Sequence, residues 1–66
     1  MILSKREIEV LELLSYGFED KEIASKLQIS TRTVQTYVTR LLLKLNARNR
    51  TNAVATFIKY YYAKYA

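Results

Sequence analysis

The chain has 66 residues, half of them apolar, a formal charge of +5, and neither cysteine nor histidine. It is one small folding unit with apolar residues enough for a core. Disulfides, thiolate or imidazole metal sites and the commonest general base are excluded, so no enzyme, metal or cofactor is expected. No apolar run approaches the roughly 18 to 20 residues of a membrane span. The start also lacks the basic and then apolar order of a signal peptide, so the expectation is a cytoplasmic protein with no membrane partner.

In chain order, a first helix over 5–16 follows Ser4 as N-cap, with Glu7 three residues on completing a capping box and Leu3 placed to staple onto Ile8. Ile8, Leu11 and Leu14, joined by Val10 and Leu13, supply a broad apolar face. Gly17, the chain's single glycine, stands where a left-handed cap should end the helix after Tyr16. A short second helix over 21–27 is expected to be capped by Asp20. Its Ile23, Ala24 and Leu27 share one face, and Ala24 is small enough for a close helix crossing.

Gln28 and Ile29 then form a tight turn, and Ser30 caps a longer helix over 31–45. Val34, Val38, Leu41, Leu42 and Leu45 make its buried stripe. Its other side carries Arg32, Gln35, Thr36, Thr39 and Arg40, which donate or accept hydrogen bonds and include no acid to repel phosphate. Two helices with this connection have the spacing that presents one of them to a DNA groove. Asn49 caps a fourth helix over 50–64, with Val54, Phe57, Ile58 and Tyr61 as apolar contacts. The fold class is all-α, a compact four-helix domain containing a helix-turn-helix and occupying residues 1–66.

Charge is segregated along the chain. All six acids, Glu7, Glu9, Glu12, Glu19, Asp20 and Glu22, lie in the first third, and the 44 residues that follow hold eight Lys or Arg and no acid. That layout suits a polyanion on one side of the fold. On the fourth helix a second stripe, Thr51, Ala55, Ile58 and Tyr62, runs beside the Val54, Phe57 and Tyr61 face. It is read as a symmetric dimer contact, the alternative being a tyrosine-rich end that frays at the surface.

Several of these runs in order, Leu-Ser-Lys-Arg-Glu (3–7), Lys-Glu-Ile-Ala (21–24), Ile-Ser-x-x-Thr-Val (29–34), Lys-Leu (44–45) and Asn-Arg-Thr-Asn-Ala-Val (49–54), resemble the LuxR/GerE-type DNA-binding domain of NarL/FixJ-like bacterial regulators. The resemblance covers about residues 3–58. Region 4 of bacterial sigma factors has a similar start and helix-turn-helix, but normally lacks the fourth helix.

The resemblance implies a transcription regulator that binds double-stranded DNA as a homodimer across inverted half-sites, with RNA polymerase as a further partner. The helix from Thr31 would lie in the major groove, with Gln35, Thr36 and Thr39 at base edges. Thr33, Lys44 and Arg50 would face phosphates. Lys21, at a helix start, and Tyr37 join that set, as do Arg32 and Arg40, whose alternative is pairing with the acidic first helix. Lys44 has the alternative of neutralising the C-terminus of its own helix. The chain departs from the family at Gln35, commonly lysine, at Tyr37, often histidine, at Leu43, usually polar, and at Phe57 and Tyr61, commonly small. The competing function is a protein-interaction module, polymerase- or regulator-binding, without DNA binding of its own.

Overall fold

A computed structural model of the chain describes the backbone of residues 3–65 and the side chains as far as Tyr60. The expectations for Tyr61 and Tyr62 as contact residues lie outside the described side chains. Four helices and no strand occur among the described residues: α1 Lys5–Ser15, α2 Asp20–Leu27, α3 Thr31–Leu45 and α4 Arg50–Tyr65.

The caps explain where these helices begin. Glu7 N–H donates to Ser4 Oγ at 3.1 Å and Ser4 N–H to Glu7 Oε1 at 2.7 Å, the reciprocal capping box at α1. Ser30 Oγ accepts from Thr33 N–H at 3.0 Å to open α3, and Asn49 Oδ1 accepts from Asn52 N–H at 2.8 Å to open α4. At α2 the expected cap, Asp20, is one residue late. Glu19 is the last extended residue, its N–H donating to Glu22 Oε1 at 2.9 Å, and Asp20 already lies in the first turn with its carboxylate drawn to Arg50.

Three helices end in the same way. Gly17, Gln28 and Asn46 adopt positive φ (90°, 57° and 53°), and the N–H of the next residue donates to a carbonyl five residues back: Phe18 to Leu13, Ile29 to Ala24, Ala47 to Leu42. Tyr16 is therefore the cap of α1 and not its last helical residue. A Cβ on Gly17 would meet nothing within 4 Å, so backbone conformation alone favours glycine there. Glutamine accepts the same conformation at a cost of about 1 kcal/mol.

α3 is the centre of the packing and touches α1, α2 and α4. Its Val34, Val38 and Leu41 are buried against Val10 and Leu11 of α1, Ile23 and Ala24 of α2, and Ala53 of α4. Leu42 and Leu45, expected on the buried stripe, lie at the edge of this cluster and are half-buried, with Tyr37, Val54 and Phe57.

On α1 the buried face is rotated from the expected one. Ile8 keeps 37% of its exposure, whereas Glu7 keeps 2%. A buried carboxylate needs partners, and Lys44 Nζ in the last turn of α3 supplies one at 2.8 Å from Glu7 Oε1. The Lys44 bond, then the Ser4 amide, hold the Glu7 carboxyl below its ordinary 4.5 against the burial that pushes it up.

A carboxyl depressed in the fold stabilises it fully above the unfolded value and loses that contribution as pH falls through the folded one. Stability should therefore decline on acidification below about pH 4.5. Glu7→Gln should cost roughly 1 to 3 kcal/mol at neutral pH and flatten that acid limb, measured by thermal unfolding across pH.

Candidate nucleic-acid interface

Burying one side of α3 leaves the other side to solvent. Arg32, Gln35, Thr36, Thr39, Arg40 and Leu43 are all exposed. The three expected base-reading residues, Gln35, Thr36 and Thr39, are thus brought together on one free face. The Thr36 and Thr39 hydroxyls donate back along the helix, to Arg32 O at 3.2 Å and Gln35 O at 3.0 Å. Among the described residues neither Arg32 nor Arg40 enters an ion pair, so the alternative of pairing with the acidic α1 is not what the structure adopts.

The other expected phosphate-facing residues occupy different settings. Lys21 is exposed in the first turn of α2. Thr33 is half-buried with its hydroxyl 2.8 Å from that of Ser30. Tyr37 packs its ring against the core cluster. Lys44 is held by Glu7, neither free nor engaged mainly with its own helix end, though two of its three ammonium protons remain for another acceptor.

Arg50 forms a two-point contact with Asp20: Nη1 to Oδ1 at 2.5 Å and Nη2 to Oδ2 at 2.7 Å. A planar guanidinium on a planar carboxylate is the geometry in which both hydrogen bonds are satisfied at once. Among the described residues α2 and α4 do not pack on each other along their backbones, so this pair spans the gap between them. Half of the Arg50 side chain stays exposed, and its Nε–H and outer Nη protons are not used by Asp20.

The Arg50 bond, and to a smaller extent the Gln35 amide, hold the Asp20 carboxyl below its ordinary 3.8, and Asp20 raises Arg50 in return. One carboxylate therefore connects the starts of α2 and α4. Asp20, Lys21, Thr31, Arg50 and Thr51 line an open groove of about 710 Å³, floored by Leu14, Phe18 and Val54, where the starts of α2, α3 and α4 converge. Sequence alone gave Asp20 a cap's role and missed this pairing, since partners 30 positions apart in the chain carry no local signal.

On α4, Thr51, Ala55 and Ile58 are exposed along one side while Ala53, Val54 and Phe57 face the core. The exposed Arg48, not singled out from sequence, lies just before that helix with its N–H on Asn52 Oδ1. No helix among the described residues is long and apolar enough to cross a membrane.

The family model for bacterial regulatory proteins of the luxR family, GerE, matches residues 1–57. The chain is 48% identical over 56 residues to the uncharacterized transcriptional regulatory protein YxjL of Bacillus subtilis, covering 85% of this chain and 26% of that protein. It is 43% identical over 58 residues to the oxygen regulatory protein NreC of Staphylococcus carnosus, covering 88% and 27%. With the virulence factors putative positive transcription regulator BvgA of Bordetella pertussis, identity is 54% over 46 residues, covering 70% and 22%. The chain thus spans about a quarter of the length of these relatives.

The pairing of Asp20 with Arg50 is checked by NMR titration of the Asp20 carboxyl. It should titrate below 3.8, and Arg50→Gln should bring it back toward that value. Because the pair is partly exposed, the same substitution should cost no more than about 1 kcal/mol of stability.

Proposed function

We propose that this chain, which belongs to the luxR family of bacterial regulatory proteins and so carries a helix-turn-helix DNA-binding domain, reads a specific duplex with α3 in the major groove as a dimer on inverted half-sites. The observation that carries this reading is the two-sided character of α3. Val34, Val38 and Leu41 anchor it in the core, and the opposite face offers an amide, two hydroxyls and two guanidinium groups with no acid among them.

Gln35 is suited to a bidentate bond with adenine, and Thr36 and Thr39 lie on the same face. Lys21, Arg32, Arg40, Lys44 and Arg50 contribute charge that any duplex sequence would attract, with Thr33 and Tyr37 as neutral phosphate contacts. The family is one of DNA-binding regulators, not of enzymes, and the product of binding is occupancy of a promoter, in the cytoplasm, within reach of RNA polymerase.

Support for the dimer is the unpartnered stripe of Thr51, Ala55 and Ile58 on α4, which Tyr62 would continue. Two copies of α4 related by a two-fold axis would cover it on both sides and set the half-sites about one DNA turn, ~34 Å, apart.

Two measurements test this reading. Duplex affinity should fall with salt at a log-log slope of roughly 0.9 per neutralised phosphate, and Arg40→Gln should lower that slope by about one while leaving the ranking of sequences intact. No binding to any duplex at low salt would defeat it. Ile58→Glu, at a side chain 39% exposed, should abolish self-association in sedimentation without unfolding the monomer. Unchanged association would remove α4 as the seam.

A further inference from the structure

Thr36 and Thr39 are three residues apart on the exposed face of α3, about 4.5 Å along its axis. Each hydroxyl has a single proton, and each proton is spent on a carbonyl four residues back, Arg32 O for Thr36 and Gln35 O for Thr39. A β-branched side chain is stiff at its first torsion, so this bond also fixes where the methyl group stands. What the two residues offer outward is a pair of methyl groups and hydroxyl lone pairs. They have no donor to give. Leu43 continues the row at i+7 from Thr36 with 77% of its surface exposed, adding a third apolar group to the same stripe.

The major-groove edges of the four bases respond differently to such a surface. Guanine presents two acceptors, N7 and O6, and needs donors that Thr36 and Thr39 have already used. Adenine and cytosine each present an amino donor that a hydroxyl lone pair can take. Thymine alone carries a methyl group, and it stands beside the amino group of its paired adenine. An A·T pair is therefore the one pair that offers both a donor and an apolar contact to a threonine in this state. No acid on this face competes for the cytosine amino group; Arg32, four residues before Thr36, stands at the N-terminal end of the row and Arg40 beside it, and their guanidinium groups are the donors left for guanine.

We propose that the Thr36, Thr39 and Leu43 row reads thymine methyl groups, so that the core of the preferred half-site is rich in A·T pairs and guanine is confined to its flanks. The proposal rests on α3 being the reading helix and names the sequence class that helix selects. It distinguishes this chain's threonines as methyl readers, with their hydroxyls serving the helix and acting outward only as acceptors.

The experiment has two stages. Selection of duplexes from a random pool should return a half-site with an A·T core. Thymines of that core are then replaced singly by deoxyuridine, which deletes the methyl and nothing else. At the position facing each threonine the replacement should weaken binding about fourfold, the factor that one buried methyl group confers. Thr36→Ser and Thr39→Ser keep the hydroxyl and lose the methyl. Each should show the same loss on the thymine duplex and become insensitive to deoxyuridine at its own position. Thr36→Val and Thr39→Val keep the methyl and lose the lone pairs, so each should stay sensitive to deoxyuridine at its own position while losing its acceptance from the adenine amino group.

A G·C core, full affinity for the deoxyuridine duplexes, or a large loss in the valine variants with none in the serine variants would overturn methyl reading while leaving specific DNA binding intact. Failure to select any sequence would remove both that binding mode and this inference. Both threonines are exposed, so none of these variants puts the fold at stake.

Discussion

The burial of Val34, Val38 and Leu41 is the interaction on which the rest of the structure depends. This one stripe of α3 is the surface against which α1, α2 and α4 are all laid, each apolar side chain contributing about 1.5 to 3 kcal/mol on leaving water. In a chain this short there is no second core to compensate for a loss there. The stripe fixes the rotation of α3 about its axis, and that rotation decides which residues remain outside. Core packing and the candidate reading face are therefore two consequences of one helical periodicity. A change that turned α3 by one residue would damage both.

Two ion pairs add what apolar packing lacks, which is direction. Glu7 joins the first turn of α1 to the last turn of α3 through Lys44, and Asp20 joins the first turn of α2 to that of α4 through Arg50. The first involves a buried carboxylate, so its partners are required to offset desolvation and removing them leaves a costly orphan. The second is half in solvent and contributes little energy, but a two-point contact fixes the plane of the guanidinium. In the proposed complex both cations would meet phosphates already tethered by the fold's own acids. Their free protons would then act from fixed positions.

Much of this fold was readable from local pattern because its helices are punctuated by local chemistry. Ser4 with Glu7, Ser30 and Asn49 start helices by bonding amides within three residues of themselves, and Gly17 ends one by a conformation that glycine adopts freely. The misreadings arose where a distant partner overrode the local rule. Asp20 looked like a cap, but Arg50 captures its carboxylate and Glu19 takes the cap position. Ile8 looked buried by hydrophobicity alone, but Glu7 takes the buried place beside it because Lys44 waits 37 residues away. Gln28 in a left-handed cap had no signal at all, since its side chain does not favour that conformation. The polar face of α3 was readable for a different reason: its members are defined by what the apolar stripe leaves over.

The threonines of that face show how helix stability and recognition compete for the same atoms. An exposed threonine in a helix loses side-chain freedom and has a hydroxyl that must find a partner, and bonding the carbonyl four residues back satisfies it without water. The arrangement removes a donor from the surface but orders the side chain before any ligand arrives, so less entropy remains to be lost on binding. A lysine at such a position would bring charge and reach but also several free torsions. A face built from short, ordered side chains attracts polyanions less strongly and relies more on shape. In the proposed complex that leaves the general attraction to Arg32, Arg40 and the tethered cations, and the choice of base pair to the short side chains of the same face.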